Sequence, residues 1–465
     1  MTTTNGRILF GAGAGLIAAG LAVAISPLLG MACGIATGIG LGILRDPRIG
    51  VFLIAAVLPL ERIGALETGD STIRLSQVLV AVTLVVWAVV GAARRRLPLA
   101  PYPIGFPVTA FLAVNLLGLL VVVNLHRSLV VLGATLLTIA VSALLPMLLT
   151  DRASLYRLVR ILLISAAVVS VFGLLQFFGD LAGLPTTVTG LRELYTKDVL
   201  GFPRIQSTAL EPLYFANYLL LPIGVLLALY LSDQRRVVPR PWLLPLLLLL
   251  GVNLMLTVSR GGYLGLAATA LVVGTFSLRH LITPTRLSIL LLIGFVTYVV
   301  VVQAIGAGGE ALLETFTGHV QNVFFGASFA ERVETIEHAV TAFWSSPWVG
   351  IGPGAFGPFV AMHPFVVPKD GWAIVNNEYI ELLAETGIAG TLAFVGIVTT
   401  LVLRSLRAIR RSHDHEVTAL LVGVLGAFIG ILVQYLTFST LYIMHVWFVI
   451  GLLIAVQTFA LREHS

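Results

Sequence analysis

The chain of 465 residues has one cysteine, Cys33, within an apolar run. A lone thiol excludes an internal disulfide and any metal cluster built on cysteines. Charge is also scarce: only 11% of residues are Asp, Glu, Lys or Arg, against about a quarter in soluble domains. That scarcity excludes an ordinary water-soluble globular protein. The first apolar run lacks a small-residue cleavage site with a soluble domain after it, so it is expected to be retained. No internal repeat is evident.

What the sequence has instead is hydrophobicity: 58% apolar residues and a mean hydropathy of +1.01. Apolar runs near the length of a bilayer crossing recur at roughly 8–26, 28–44, 49–62, 74–92, 105–124, 128–149, 158–178, 212–231, 242–258, 262–278, 287–305, 385–403, 417–437 and 440–460. In lipid the backbone must satisfy its own hydrogen bonds, so these runs read as helices. The second and third are short and glycine-rich. The expectation is an all-α integral membrane protein, one polytopic domain over 1–465 with about 12–14 transmembrane helices.

Arginine sets the orientation. With the N-terminus inside, 19 of the 28 basic residues fall on inner segments, among them Arg45, Arg48, Arg94, Arg95, Arg96, Arg152, Arg235, Arg236, Arg407, Arg410 and Arg411. The outer segments are longer yet hold fewer, which is the positive-inside pattern. The pI near 9.7 then follows from topology and needs no nucleic acid partner. Two outer segments are too long to be simple connections, 179–211 and 306–384, the second preceding the last three helices. Long loops in compact folds are usually functional. Within the second, "SFAERVETIEHAVTAFW" reads as an amphipathic helix, with Val333, Ile336, Val340 and Phe343 on one apolar face.

Polar groups gather at the outer boundary. Arg260 in "LTVSRGGYLG" precedes a glycine pair that permits a tight turn. Arg204 stands in "GFPRIQSTALEP", shortly before another helix entrance. Either could simply reach to the interface; together they form a clamp suited to a phosphate or pyrophosphate. Glu211 opens a helix with Pro212 at its first position, where an acid either caps the helix or does chemistry. In "NNEYIELLAETGIAGT", residues 376–391, an asparagine is placed to cap a helix whose Glu378, Glu381 and Glu385 share one face.

That last stretch resembles the signature of the O-antigen ligase and polymerase superfamily of membrane glycosyltransferases: His, then Asn, Ser or Gln, nine residues, then Gly-x-x-Gly-Thr. Asn377 takes the second place, and Gly387, Gly390 and Thr391 close it. "SPWVGIGPGAF", "TVSRGGYLG" and "PRIQSTALEPLYFANYL" are similar to other parts of that family, in the same order. The resemblance implies a donor glycan on a polyprenyl pyrophosphate, a glycan or glycolipid acceptor, and no metal or other cofactor. It also implies a multi-pass protein of the bacterial cytoplasmic membrane that works at its outer face. Arg204 and Arg260 would hold the pyrophosphate, with Asn377 and Tyr379 beside the substrate.

One position departs from the pattern. The family's histidine, which the resemblance makes the base for the acceptor hydroxyl, is Asn376 here. An amide cannot take that proton. Glu211 or Glu378 is the expected substitute, with His363 or His338 of the outer loop as the alternative and Asn376 left to orient the substrate. A transporter, or a non-catalytic component that binds lipid-linked glycan, would share the same hydropathy. Transporters tend to carry repeats and polar groups near the midplane, whereas these polar groups lie at the boundary.

The topology is open to direct test. In a cysteine-free background, Ser412→Cys should be shielded from a membrane-impermeant thiol reagent in intact cells and Val320→Cys should be labelled. The opposite pattern would reverse the orientation.

Overall fold

The computed structural model describes residues 27–63, 66–68, 71–93, 100–277, 327–362, 373–439 and 441–462. Fourteen helices of six or more residues occur among them. They are α1 (Pro27–Arg45), α2 (Arg48–Val57), α3 (Leu75–Ala93), α4 (Gly105–Gly118), α5 (Leu125–Leu148), α6 (Arg152–Leu181) and α7 (Pro212–Leu231), then α8 (Arg240–Leu256), α9 (Arg260–Ser277), α10 (Ala327–Ser345), α11 (Phe356–Ala361), α12 (Glu378–Arg411), α13 (His415–Gln434) and α14 (Met444–Arg462). A small antiparallel hairpin, Leu66–Thr68 with Ser71–Ile73, was not foreshadowed by hydropathy.

The protein is an all-α polytopic membrane protein. Seven described helices, α3, α5, α6, α7, α12, α13 and α14, are long and apolar enough to cross a bilayer. Three further apolar helices are shorter. Of these, α4 has 14 residues and rises about 21 Å at 1.5 Å per residue, less than the roughly 30 Å of a hydrocarbon core. The expected runs at 8–26 and 287–305 lie outside the described residues.

Apolar side chains point both ways. On α6, Ile164, Val168, Val171 and Leu175 recur at helical spacing on an exposed face, as do Val78, Val82, Val85 and Val89 on α3. In water such stripes would drive aggregation; here they are the lipid-facing side. The centre is formed by α7, α13 and α14, which are apolar and buried nearly all round. Lipid is as apolar as leucine, so these helices gain from close contact and not from burial as such. Glycine provides the contact. A methyl group on Gly423 would come within 2.7 Å of the Gly224 carbonyl oxygen, and one on Gly224 within 2.6 Å of the Gly423 oxygen. Gly265 and Gly430 make the same reciprocal crossing between α9 and α13.

Loop contacts sort into two ends. At one end Arg48 pairs with Asp151 at 2.9 Å, Arg152 with Asp414 at 2.6 Å, and Val237 N donates to Glu416 at 2.8 Å. At the other, Arg62 meets Glu211 and Leu441 meets Glu378. Each pair joins segments that the arginine count assigns to the same face.

The helix in the long segment, α10, docks by a different side from the one its apolar spacing indicates. Ala339 and Ala342 are buried against Val375 and Ala384, with Ile336 at the margin, while Val333 and Val340 are exposed. Small side chains let α10 approach α12 closely, and the larger ones turn away together with Trp344, which is 70% exposed.

Overpacking a crossing costs about 1–3 kcal/mol in ordinary cores, and the glycine crossings leave no room for adjustment. Gly423→Val should therefore lower the thermal midpoint in detergent by several degrees, while Gly133→Val, at a glycine with open space around it, should leave it unchanged.

Candidate functional site

The end of the bundle that holds Glu211 is built from irregular backbone. Four non-glycine residues there have positive φ: Ser207 (49°), Leu210 (59°), Val258 (47°) and Asn376 (56°). Asparagine tolerates this conformation; a β-branched valine does not adopt it without support. The support is visible. Ser207 N donates to Gln176 Oε1 at 2.7 Å, Ser207 Oγ to the Val169 carbonyl at 2.6 Å, and Thr208 Oγ1 to the Pro59 carbonyl at 2.5 Å. These bonds fasten the 203–211 segment to α6 and to the end of α2. Strain held this way is common where backbone is shaped for a ligand.

Arg204 supports Val258. Its Nη2 donates to the Val258 carbonyl at 3.1 Å and its Nε to the Thr257 carbonyl at 3.2 Å, with the Tyr195 ring 5.7 Å beneath the guanidinium. Burial, with the charge of Arg260 adding to it, lowers the Arg204 pKa. The two arginines proposed from sequence are therefore neighbours. Ser259 caps α9 by accepting from Gly262 N at 3.1 Å, which puts Arg260 in the first turn. The glycine pair is thus not a tight turn: Gly261 and Gly262 let α9 pack directly on Thr437 and Ala216. Arg260 is half-buried and makes no hydrogen bond or ion pair among the described residues.

Glu211 sits at the N-cap position of α7 in extended conformation, yet its side chain does not cap the helix. Its Oε2 accepts from Arg62 Nη1 at 3.1 Å. Burial pushes its pKa up, opposed by Arg62, Arg192 and Arg204. Arg62 also lies over the Tyr214 ring at 4.3 Å. Next to it, Arg74 pairs with Glu61 at 3.2 Å, and Glu61 accepts from Met444 N at 3.2 Å. The sequence reading missed Arg62, Arg74 and Glu61. A signal existed: they are charges on the face that the arginine bias leaves sparse, and those exceptions converge.

The second group lies on α12, and it answers differently. Asn377 caps the helix: its Oδ1 accepts from Tyr379 N at 3.1 Å and Ile380 N at 3.2 Å, and its Nδ2 donates to the Leu436 carbonyl. Tyr379 donates its hydroxyl to the Leu432 carbonyl at 2.6 Å. Asn376 has no side-chain hydrogen bond among the described residues, and His363 lies outside them. The shared acidic face is engaged by the protein: Glu378 is 2% and Glu385 3% exposed. Glu378 Oε2 accepts from Leu441 N at 2.8 Å, and Glu381 Oε2 from Val375 N at 3.0 Å. Glu385 accepts from Gly354 N at 3.0 Å, Phe356 N at 3.2 Å and the Tyr442 hydroxyl at 3.2 Å. The carboxylate that stands among the arginines is Glu211, and Glu378 is directed at the 435–443 segment.

Glycines complete the lock. Gly387, at φ 61°, would place a Cβ 2.5 Å from the Trp348 carbonyl carbon, and Gly350, at φ 71°, one 2.2 Å from the Glu385 carbonyl carbon. "SPWVGIGPG" and "ETGIAGT" are therefore two halves of one close backbone contact. The 435–444 segment joins both groups: Phe438 packs edge-on against Tyr214 at 4.5 Å, Leu441 N reaches Glu378, and Met444 N reaches Glu61. No group of three or more His, Cys, Asp or Glu among the described residues could hold a metal ion.

Residues 245–395 match the family model described as O-Antigen ligase. No curated protein matches the chain.

Removing the Glu385 acceptor strands two buried backbone donors and a tyrosine hydroxyl, at about 1–3 kcal/mol for each unsatisfied group. Glu385→Leu should lower the thermal midpoint sharply and open the 350–356 loop to protease. Glu385→Gln, which keeps one acceptor oxygen, should lose less. Equal stability of Glu385→Leu and the parent would remove the clasp from the account.

Proposed function

The match supports membership of the O-antigen ligase superfamily, and on that premise we propose that the chain transfers a glycan from a polyprenyl-pyrophosphate carrier to an acceptor hydroxyl at the outer face of a bacterial cytoplasmic membrane. The observation that carries this reading is Arg260, a half-buried guanidinium without a partner among the described residues, set beside Arg204. Two like charges are held together at a cost unless an anion joins them. A pyrophosphate offers oxygens on both sides for forked donors.

In this reaction the acceptor oxygen attacks the anomeric carbon, and the bond from that carbon to the pyrophosphate oxygen breaks. Negative charge grows on the leaving pyrophosphate, where prearranged cationic donors lower the barrier most. Arg260 supplies an uncommitted fork. Arg204 holds the strained Val258 backbone that precedes Arg260 and adds its positive charge beside it. Glu211 fixes Arg62 and keeps the net charge of the cluster in check. The α10 segment and its neighbours cover the acceptor and keep water from the donor. The acceptor is the hydroxyl of a lipopolysaccharide core, a growing polysaccharide or a similar glycan.

Lysine keeps the charge but not the fork. Arg260→Lys and Arg204→Lys should each cut transfer from a purified polyprenyl-pyrophosphate glycan by about a hundredfold, the scale seen when one donor to a developing anion is lost. Near-parental product from both, at matched protein amounts, would make the two arginines interface anchors only.

A further inference from the structure

A base for the acceptor hydroxyl is missing from the site as described. Asn376 cannot take a proton, Glu378 is engaged by the Leu441 backbone, and Glu211 is committed to Arg62. The 376–391 signature and the outer segments are not the only places where a titratable group meets this end of the bundle. A narrow pocket beside Arg62 is lined by Glu61, Arg74, Tyr214, Tyr218 and His445. His445 is in the first turn of α14 and is 5% exposed.

Its tautomer follows from a chain of buried amides. The Leu213 carbonyl can only accept, so Gln434 Nε2, 3.2 Å away, must be the donor there. Gln434 Oε1 is then an acceptor, and it receives Asn217 Nδ2 at 3.0 Å. That leaves Asn217 Oδ1 to face His445 Nε2 at 2.5 Å, and an amide oxygen cannot donate. Nε2 therefore carries the hydrogen, and in the neutral ring Nδ1 is left with its lone pair. Nδ1 makes no hydrogen bond among the described residues, and it is absent from their fully enclosed unsatisfied atoms. The side chain lines the pocket that Arg62 and Arg74 border. A histidine held only for helix packing would have no reason to keep one nitrogen open beside two arginines.

We propose that His445 is the base of the transfer reaction, with Nδ1 receiving the proton of the acceptor hydroxyl and the Asn217–Gln434–Leu213 chain holding the ring in the tautomer this requires. The inference rests on the transfer reading above. The acceptor O–H bond breaks toward Nδ1 as the oxygen bonds to the anomeric carbon. The carbon–oxygen bond to pyrophosphate breaks with its electron pair passing to the leaving group. The imidazolium so formed keeps its Nε2–H on the Asn217 oxygen, and it returns its proton to water. The histidine role that Asn376 vacates is thus filled from α14.

The test uses the full-length protein in detergent or nanodiscs with a polyprenyl-pyrophosphate glycan and a glycan acceptor. His445→Gln should lose about a hundredfold or more in transfer, the scale of a general base, while donor affinity stays within about threefold of the parent. Transfer by His445→Gln within about threefold of the parent, or full retention there with loss in His363→Ala, overturns the assignment while leaving the transfer reading intact. A parent protein that binds donor but transfers nothing overturns both. Because His445→Gln could disturb packing, a second measurement is made on the unaltered chain. Diethyl pyrocarbonate, which attacks an unprotonated ring nitrogen, should modify His445 by mass spectrometry, and the acceptor glycan should slow that modification. A His445 that stays unmodified in the folded protein, or is modified equally with and without acceptor, means that Nδ1 does not face the acceptor.

Discussion

Three carboxylates on one face of a single helix organise the irregular part of this protein. Glu378, Glu381 and Glu385 each accept a backbone N–H from a different incoming segment: the 435–443 connection, the strand of chain before α12, and the 350–356 loop. A buried carboxylate is costly unless its oxygens are occupied, and a buried backbone N–H is costly unless it finds an acceptor. Each problem solves the other. Segments without regular structure can then lie against a membrane helix without stranding their donors, and Gly354, Phe356 and Val375 are held against α12 in this way.

The arginine cluster follows a related rule with the signs reversed. Arg62 and Arg74 are matched by Glu211 and Glu61, and Arg204 spends two of its donors on carbonyls whose valine is conformationally strained. Arg260 alone has no such match among the described residues. A cluster whose other arginines are engaged, with one open guanidinium, attracts an anion to a defined spot and not to the surface at large. In the proposed reaction, that spot is where the pyrophosphate leaves.

Hydropathy made the helices legible because lipid imposes one answer on a long apolar run. Arg204 and Arg260 were legible as well, since a charge at a helix entrance stands out against so apolar a chain. The partners of those charges were not. Arg62 and Glu61 end an apolar run that reads as one more crossing, and only the fold brings residue 62 to residue 211. The acids of "NNEYIELLAETGIAGT" showed their common face but not their occupants, because a carboxylate bound to backbone and one bound to water have the same spacing. The docking side of α10 was not given by its apolar spacing, for a related reason. Apolar periodicity locates a hydrophobic stripe, but in a membrane protein that stripe can face away from the protein while alanines make the joint. His445 gave no signal at all, being one histidine in an apolar run whose meaning depends on Asn217 and Gln434.

The glycine crossings have a mechanical consequence. Where backbones touch at Gly224 with Gly423 and at Gly265 with Gly430, no side chains intervene that could change rotamer and let the helices slide. Helices α7, α9 and α13 therefore behave as one stiff plate, with Glu211 and Arg260 mounted on its rim. In the proposed reaction a lipid-linked glycan would be admitted by parts outside that plate, and the joint of Ala339 and Ala342 on α10 with Ala384 on α12 lies outside it.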